Sequence, residues 1–270
     1  MNPYVVEPGD SPVILGMPHV GTEIEDGIWR RLNDLGRERA DTDWWIDRLY
    51  GGLLPNATVV RATFSRYVVD ANRDPSGKSL YPGQNTTDVC PTKTFDGEPI
   101  YQPGQEPSGE EIAERVSRYH APYHAALAAE IERVRARRGV AVLYDCHSIR
   151  SDIPYLFEGR LPTFNIGTND GVTCDAKIEA ALVTACSQAQ GLDHVLNGRF
   201  KGGWTTRHYG RPSDGMHAIQ LEMAQAAYMM EEAPWTYLPE RADRVRPILK
   251  SALAEMERIA LSGALNANGK

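Results

Sequence analysis

The sequence predicts an α/β fold, a mixed and largely parallel sheet flanked by helices. Three apolar, β-branched runs carry that expectation: PVILGM at 12–17, VAVLY at 140–144 and AIQLEM at 218–223. None shows the polar alternation of a half-exposed strand, so each reads as a strand covered on both faces. Segments with helical spacing lie between them, and strands alternating with helices build parallel connections.

In chain order, the run at 12–17 ends at Pro18-His19. Residues 27–35 and 43–54 place apolar side chains at helical intervals through Ile28, Leu32 and Leu35, then Trp44, Ile46, Leu49 and Leu53. Residues 57–70 are rich in Val, Thr, Phe and Tyr and suit one or two strands. Residues 74–109 are rich in Pro and Gly with little periodicity. A loop of that length is either a binding loop or a surface excursion with a few short strands. The clearest helix spans 109–138. Ser108 and Glu111 form a capping box, Ile112, Val116, Tyr119, Tyr123, Leu127, Ile131 and Val134 form one apolar stripe, Pro122 kinks or divides it, and Gly139 ends it. After the strand at 140–144 come Asp145-Cys146-His147-Ser148, a helix over 175–190, the strand at 218–223 and a closing helix over 242–261.

Composition narrows the function. The 270 residues carry 29 basic and 36 acidic side chains, a net charge of −7, which argues against a nucleic-acid partner. No stretch reaches ~18 apolar residues, so no transmembrane helix is expected. Residues 1–10 lack the pattern of a secretory signal. Cys90, Cys146, Cys174 and Cys186 have neither zinc-site spacing nor disulfide density, and a cytoplasmic setting follows. Oligomeric state is left open. One domain spans 1–270, with the Pro/Gly-rich insertion at about 74–109.

In α/β sheets, sites form beyond the carboxyl ends of strands. His19 and His147 occupy such positions, and Glu222 is a charged residue inside an apolar strand. Two imidazoles and a carboxylate suit a metal-assisted hydrolase in which a separate glutamate takes a proton from water. Hydrogen-bonded loop histidines and a buried ion pair at Glu222 are the structural alternatives. His120 and His124, spaced i, i+4, lack the glutamate of HExxH and read as structural. His208 follows Arg207 and could face a substrate. Cys146 points away from the face of its neighbour His147, so the two form no dyad. Neither a G-x-S-x-G elbow nor a nucleotide-binding glycine motif is present. Arg66 and Arg73 bracket SRYVVDANR, and Arg199, Lys201 and Arg207 fall in NGRFKGGWTTR. Guanidinium forks beside a metal suit a small dicarboxylate, whereas surface salt bridges are the plainer reading of any single arginine.

Nine stretches together resemble the N-formylglutamate amidohydrolase family. They are PHVGTEI (18–24), TDWWIDRLY (42–50), SRYVVDANR (65–73), LYPGQNTTDVCP (80–91), RYHAPYH (118–124), DCHSIRSDIP (145–154), LFEGRLPTFNIGT (156–168), NGRFKGGWTTRHYG (197–210) and HAIQLEMAQAAYM (217–229). The resemblance runs from about residue 12 to 250. It implies a zinc-carboxypeptidase-like α/β fold and hydrolysis of N-formyl-L-glutamate to formate and L-glutamate, the last step of a histidine-degradation route. It also implies one divalent metal, with zinc expected, held by His19, His147 and a third ligand. Asp43 of TDW is preferred over Glu23 for that place. By the same resemblance Glu222 activates water, and Asn72, Arg73 and Arg207 bind substrate. Arg73, Arg207 and then Arg66 are the cations for its carboxylates, and an arginine assists the oxyanion. The segment TDWWID departs from the more usual TDWHV at Trp45. Deacylation of another N-acyl amino acid, or ligand binding without catalysis, are the rival functions.

Overall fold

The computed structural model describes residues 2–80, 83 and 85–265; Tyr81, Pro82 and Gln84 of the 80–91 motif lie outside the described residues. Seven strands form one sheet: β1 (Tyr4–Glu7), β2 (Val13–Met17), β3 (Thr58–Ala62), β4 (Ala141–Ile149), β5 (Phe164–Gly167), β6 (His194–Leu196) and β7 (Met216–Ala224). Their order is β1-β3-β2-β4-β7-β5-β6. The central strands β3, β2, β4 and β7 are mutually parallel. β1 is antiparallel to β3 and β5 to β7, while β6 runs parallel to β5, so the sheet is mixed and largely parallel as expected.

Eight α-helices accompany it among the described residues: α1 (Asp26–Trp29), α2 (Asp34–Glu38), α3 (Ile46–Tyr50), α4 (Gly109–Arg115), α5 (Ala121–Arg138), α6 (Ala176–Ser187), α7 (Trp204–Tyr209) and α8 (Pro239–Leu261). The helix expected over 27–35 is two short ones. Leu32 leaves the helical path to bridge Tyr101, and the Asn33 side chain caps α2 by accepting from Gly36 N. Only Ile46–Tyr50 of 43–54 is helical, because Trp45 enters it in the left-handed conformation at φ 65°. Residues 57–70 give one strand. The long helix is divided as its proline predicts. A π-helical turn, Val116–His120, joins α4 to α5, and Pro122 lies in the first turn of α5. Ser108 Oγ accepts from Glu111 N at 3.2 Å, but the Glu111 carboxylate turns to Arg31 and Arg115, so half of the capping box forms. Residues 74–109 are mostly irregular, yet Ile100 and Tyr101 bury against Leu32 and Tyr67.

Strand parity decides what each face of the sheet does. Val142, Tyr144 and Cys146 of β4 pack with α3, α6 and α8 in the larger core cluster. Ala141 and Leu143 face the other way, with Ala218 of β7, against Tyr123, Leu127 and Ile131 of α5. On that second face the strands change character halfway along. Beyond Leu143 come Asp145 and His147, and beyond Ala218 come Gln220 and Glu222, all buried. The register sets Asp145 beside Gln220 and His147 beside Glu222. The strand read over 140–144 thus continues through the polar residues to Ile149, because β2 pairs with it as far as Asp145 and β7 along its whole length.

α8 closes the opposite face with a fully buried stripe that includes Val245, Leu249, Leu253 and Met256, while Pro247 sits on its exposed side. Leu253→Ala leaves a cavity in that interface and is expected to cost about 2–5 kcal/mol. Urea unfolding reads this directly, and a loss under ~1 kcal/mol would contradict the packing described here.

Candidate metal centre and active-site cavity

β2 ends at Met17, and two residues later His19 stands over the second face of the sheet. Across from it, β4 supplies His147, and the loop before α3 supplies Asp43. The ring centroids of the two histidines are 5.0 Å apart. One ligand atom from each of His19, Asp43 and His147 lies within 4.8 Å of the others, and all three residues are buried. Glu23, the competing third position, is exposed, and its backbone bridges Phe64.

The hydrogen bonds set the chemistry of these donors. His19 Nε2 lies 2.7 Å from Asp70 Oδ1, a contact that requires the proton on Nε2. Its Nδ1 is buried without a hydrogen-bond partner and lies 3.7 Å from Asp43 Oδ2. His147 has a related setting: its Nδ1 hydrogen-bonds Asp43 Oδ2 at 3.1 Å, and its Nε2 has Asp145 Oδ1 nearby at 3.1 Å and Asn72 Nδ2 as its hydrogen-bond partner. Each imidazole therefore has a carboxylate behind it and a nitrogen aimed at Asp43, the pattern that orients histidine metal ligands.

Charge points the same way. Asp41, Asp43, Asp70, Asp145 and Glu222 are all buried. Facing them are Arg66, paired with Asp70 and Asp43; Arg73, near Asp70; and Arg150, which Asp41 shares with Asp96. Five carboxyl groups thus share three guanidiniums and two imidazoles, and what the arginines leave unmet has to be met by imidazole protons or by a cation held between the two histidines. Burial opposes charge on His147, but Asp145 and Asp43 outweigh it and lift the imidazole well above its usual value. Burial likewise works against Asp43, and the hydrogen bond to His147 and the nearby His19 ring hold its carboxyl well below the usual range. Glu222 goes the other way: burial pushes it up to about 8, with Asp43 and Asp145 adding to the shift and His147 and Arg66 opposing it.

A cavity of about 610 Å³, mouth included, opens over this group. His19, His147, Asn72, Gln220 and Glu222 form its polar floor, Arg66, Arg73 and Arg199 line it, and Phe95, Ile149, Leu156 and Phe200 supply apolar walls. Arg73 is held by the Thr87 carbonyl at 3.0 Å and the Asn72 carbonyl at 3.1 Å. Asn72 Nδ2 lies 3.1 Å from His147 Nε2, and its Oδ1 accepts from Thr205 N at 2.8 Å. Of the positions expected from sequence, Asp43 and Arg207 are not part of the lining: Asp43 is buried against the His19 and His147 rings, and Arg207 Nε donates to Gly202 O. Trp45 turns away, donating to Trp235 O. His208 is exposed and stacks on Trp204 outside the cavity lining.

Sequence reasoning passed over Asp70, Asp145 and Gln220. The signal for the last two was parity, since each stands two residues before a singled-out residue on the same strand and so shares its face. His120 and His124 are structural, as read. His120 Nε2 meets Arg73 O at 3.0 Å and His124 Nε2 meets Ala71 O at 2.7 Å, which clamps the backbone on both sides of Asn72.

The family profile described as N-formylglutamate amidohydrolase matches residues 11–229. The chain is 45% identical to the N-formylglutamate deformylase of Pseudomonas aeruginosa over 249 residues, 92% of this chain and 93% of that protein. It is also 45% identical to the N-formylglutamate deformylase of Pseudomonas putida over 246 residues, 91% and 92% of the two. The crystal structure of N-formylglutamate amidohydrolase from Ralstonia eutropha superposes with a TM-score of 0.76 at 25% identity, covering 96% of this chain and 97% of that one. A protein of Agrobacterium tumefaciens shares the fold at a TM-score of 0.70 and 21% identity, over 98% and 96% of the two chains.

The His124 clamp carries a pH signature. Burial pushes its imidazole from 6.5 down to about 3, with His120 and His208 adding to the shift and the Ala71 carbonyl opposing it. The unfolded chain takes up this proton near its ordinary value, and the folded protein refuses it until much lower pH. The associated stability is complete above about 6.5 and is lost as pH falls through that window, by about 2 kcal/mol at pH 5. Unfolding His124→Gln and the parent in urea between pH 7 and 5 should show a flatter loss in the variant; equal slopes would contradict it.

Proposed function

The chain belongs to the N-formylglutamate amidohydrolase family, and on that premise we propose that it hydrolyses N-formyl-L-glutamate to formate and L-glutamate in a metal-dependent reaction, the last step of a histidine-degradation route. The observation that carries the metal-dependent reading is the buried His19–Asp43–His147 group with Glu222 on the adjacent strand, at the floor of a cavity lined by arginines. His19, Asp43 and His147 would hold a divalent cation, zinc being expected of such a donor set, and bound there it would supply Lewis-acid chemistry toward water and the formyl carbonyl.

The chain's own residues do the rest. Glu222 accepts a proton from the attacking water as the new C–O bond forms. The same group can return that proton to the glutamate nitrogen as the C–N bond breaks. The Arg73 guanidinium and the Asn72 amide offer donors to the carbonyl oxygen as it gains charge. Arg66 is committed to Asp70, Asp43 and the Asp41 carbonyl, so it steadies the acidic cluster while lining the pocket. Arg73 and Arg199 are the cations offered to the substrate carboxylates, because both line the cavity and Arg207 does not. The apolar walls take the substrate's methylenes, and Arg199 lies over the Phe200 ring at 5.4 Å.

The direct test is formate release from N-formyl-L-glutamate with and without a chelator, beside N-acetyl and N-succinyl amino acids. Chelator-sensitive release that prefers the formyl substrate is expected. Equal rates on acetyl substrates would favour a broader deacylase, and a metal-loaded protein inert on all of them would favour ligand binding. Glu222→Gln should keep its metal by elemental analysis while kcat falls by roughly 10²–10⁴. His147→Ala should lose the metal; unchanged stoichiometry would remove His147 from the ligand set.

A further inference from the structure

Gln220 has no role in the scheme above, yet it is buried at 2% exposure on the cavity floor. It stands two residues before Glu222 on β7, on the same face, and is paired in register with Asp145. Its side-chain amide has one orientation the structure allows. Gly203 N donates to Gln220 Oε1 at 2.7 Å, so the oxygen is fixed on that side and the NH₂ group must face the other way. There Gln220 Nε2 donates to Glu222 Oε2 at 3.2 Å. Among the described residues this is the hydrogen bond that the Glu222 carboxylate receives.

The same short segment orients a second amide. Thr205 N donates to Asn72 Oδ1, which turns Asn72 Nδ2 toward His147. The approach needs a glycine at 203: a Cβ there would lie 2.2 Å from Asn72 Nδ2. Two backbone N–H groups at the start of α7 thus aim two side-chain NH₂ groups at the floor of the cavity.

We infer that Gln220 is a positioning residue for the reaction: its amide, locked by the Gly203 N–H, holds the Glu222 carboxylate in place beside the His19–Asp43–His147 group. The inference rests on Glu222 being the base. A carboxylate on a flexible stem, buried and with one oxygen tethered, presents the other to the water it must deprotonate. Untethered, it would sample rotamers in which neither oxygen reaches. The interaction acts on turnover and leaves substrate binding to the arginines.

Two substitutions separate the amide's parts. Gln220→Glu keeps the shape and an acceptor for Gly203 N–H but replaces the donor with a like charge. Gln220→Met keeps the length and removes both hydrogen bonds. Each should lower kcat on N-formyl-L-glutamate by roughly 10–100-fold, as expected for a hydrogen bond to a charged group, with KM within about threefold and metal content unchanged. In a Glu222→Gln background, Gln220→Met should have almost no further effect on the residual turnover, because its influence passes through Glu222. Losses that multiply across the double mutant, or wild-type kcat in Gln220→Glu, would overturn the inference. Full turnover in Glu222→Gln would instead remove the base beneath it, so the two failures are told apart.

Discussion

Buried negative charge is the constraint on which this structure depends. Five carboxyl groups converge on the second face of the sheet, and none reaches solvent freely. Each must be met by an arginine, an imidazole proton or a cation, because an isolated buried carboxylate is too costly to keep. Arg66 answers the largest share, spanning Asp70, Asp43 and the Asp41 carbonyl with one side chain. Asp70 in turn holds the His19 ring and accepts from Asn72 N at 2.8 Å, so one carboxylate fixes a histidine, an arginine and a turn of backbone together. Removing any one partner would leave the others exposed to the same penalty, which is why the acids, the histidines and the 65–73 segment form one unit.

Where the sequence was legible, it was because one physical rule applied without competition. The apolar runs of β2, β4 and β7 could only be covered strands. The apolar stripe of 109–138 could only be helical, and Pro122 marked where it divides. The motifs were legible as a family resemblance because they occur in order along nearly the whole chain. What was hidden needed pairing partners. β5 and β6 are only four and three residues long and carry no pattern of their own. The strand at 140–144 reads as ending at Asp145, because a run of Asp, Cys, His and Ser resembles a loop when nothing shows that β7 pairs with it through Ile149.

The cavity's arginines illustrate a second limit. Arg199 and Arg207 sit in the same basic segment, eight residues apart, and have equal claims by composition. α7 intervenes and separates them: Arg199 remains at the cavity, over Phe200, while the helix carries Arg207 back toward the Gly202 carbonyl. His120 and His124 show the converse. Their i, i+4 spacing imitates a metal pair, but the Nε2 of each ring is taken up by a carbonyl of the 71–73 segment, and the work they do is on backbone.

The shared rung of β4 and β7 also bears on how the molecule breathes. His147 and Glu222 lie side by side on the most heavily paired strands of the sheet, whereas Arg73, Arg199 and the Thr86–Thr87 stretch that lines the cavity belong to loops. Local openings begin where backbone is least paired, so amide exchange is expected to be faster at residues 85–88 and 197–203 than at 143–149 and 218–223. The walls of the cavity can therefore loosen and re-form many times around a floor whose spacing is set by the separation of adjacent strands.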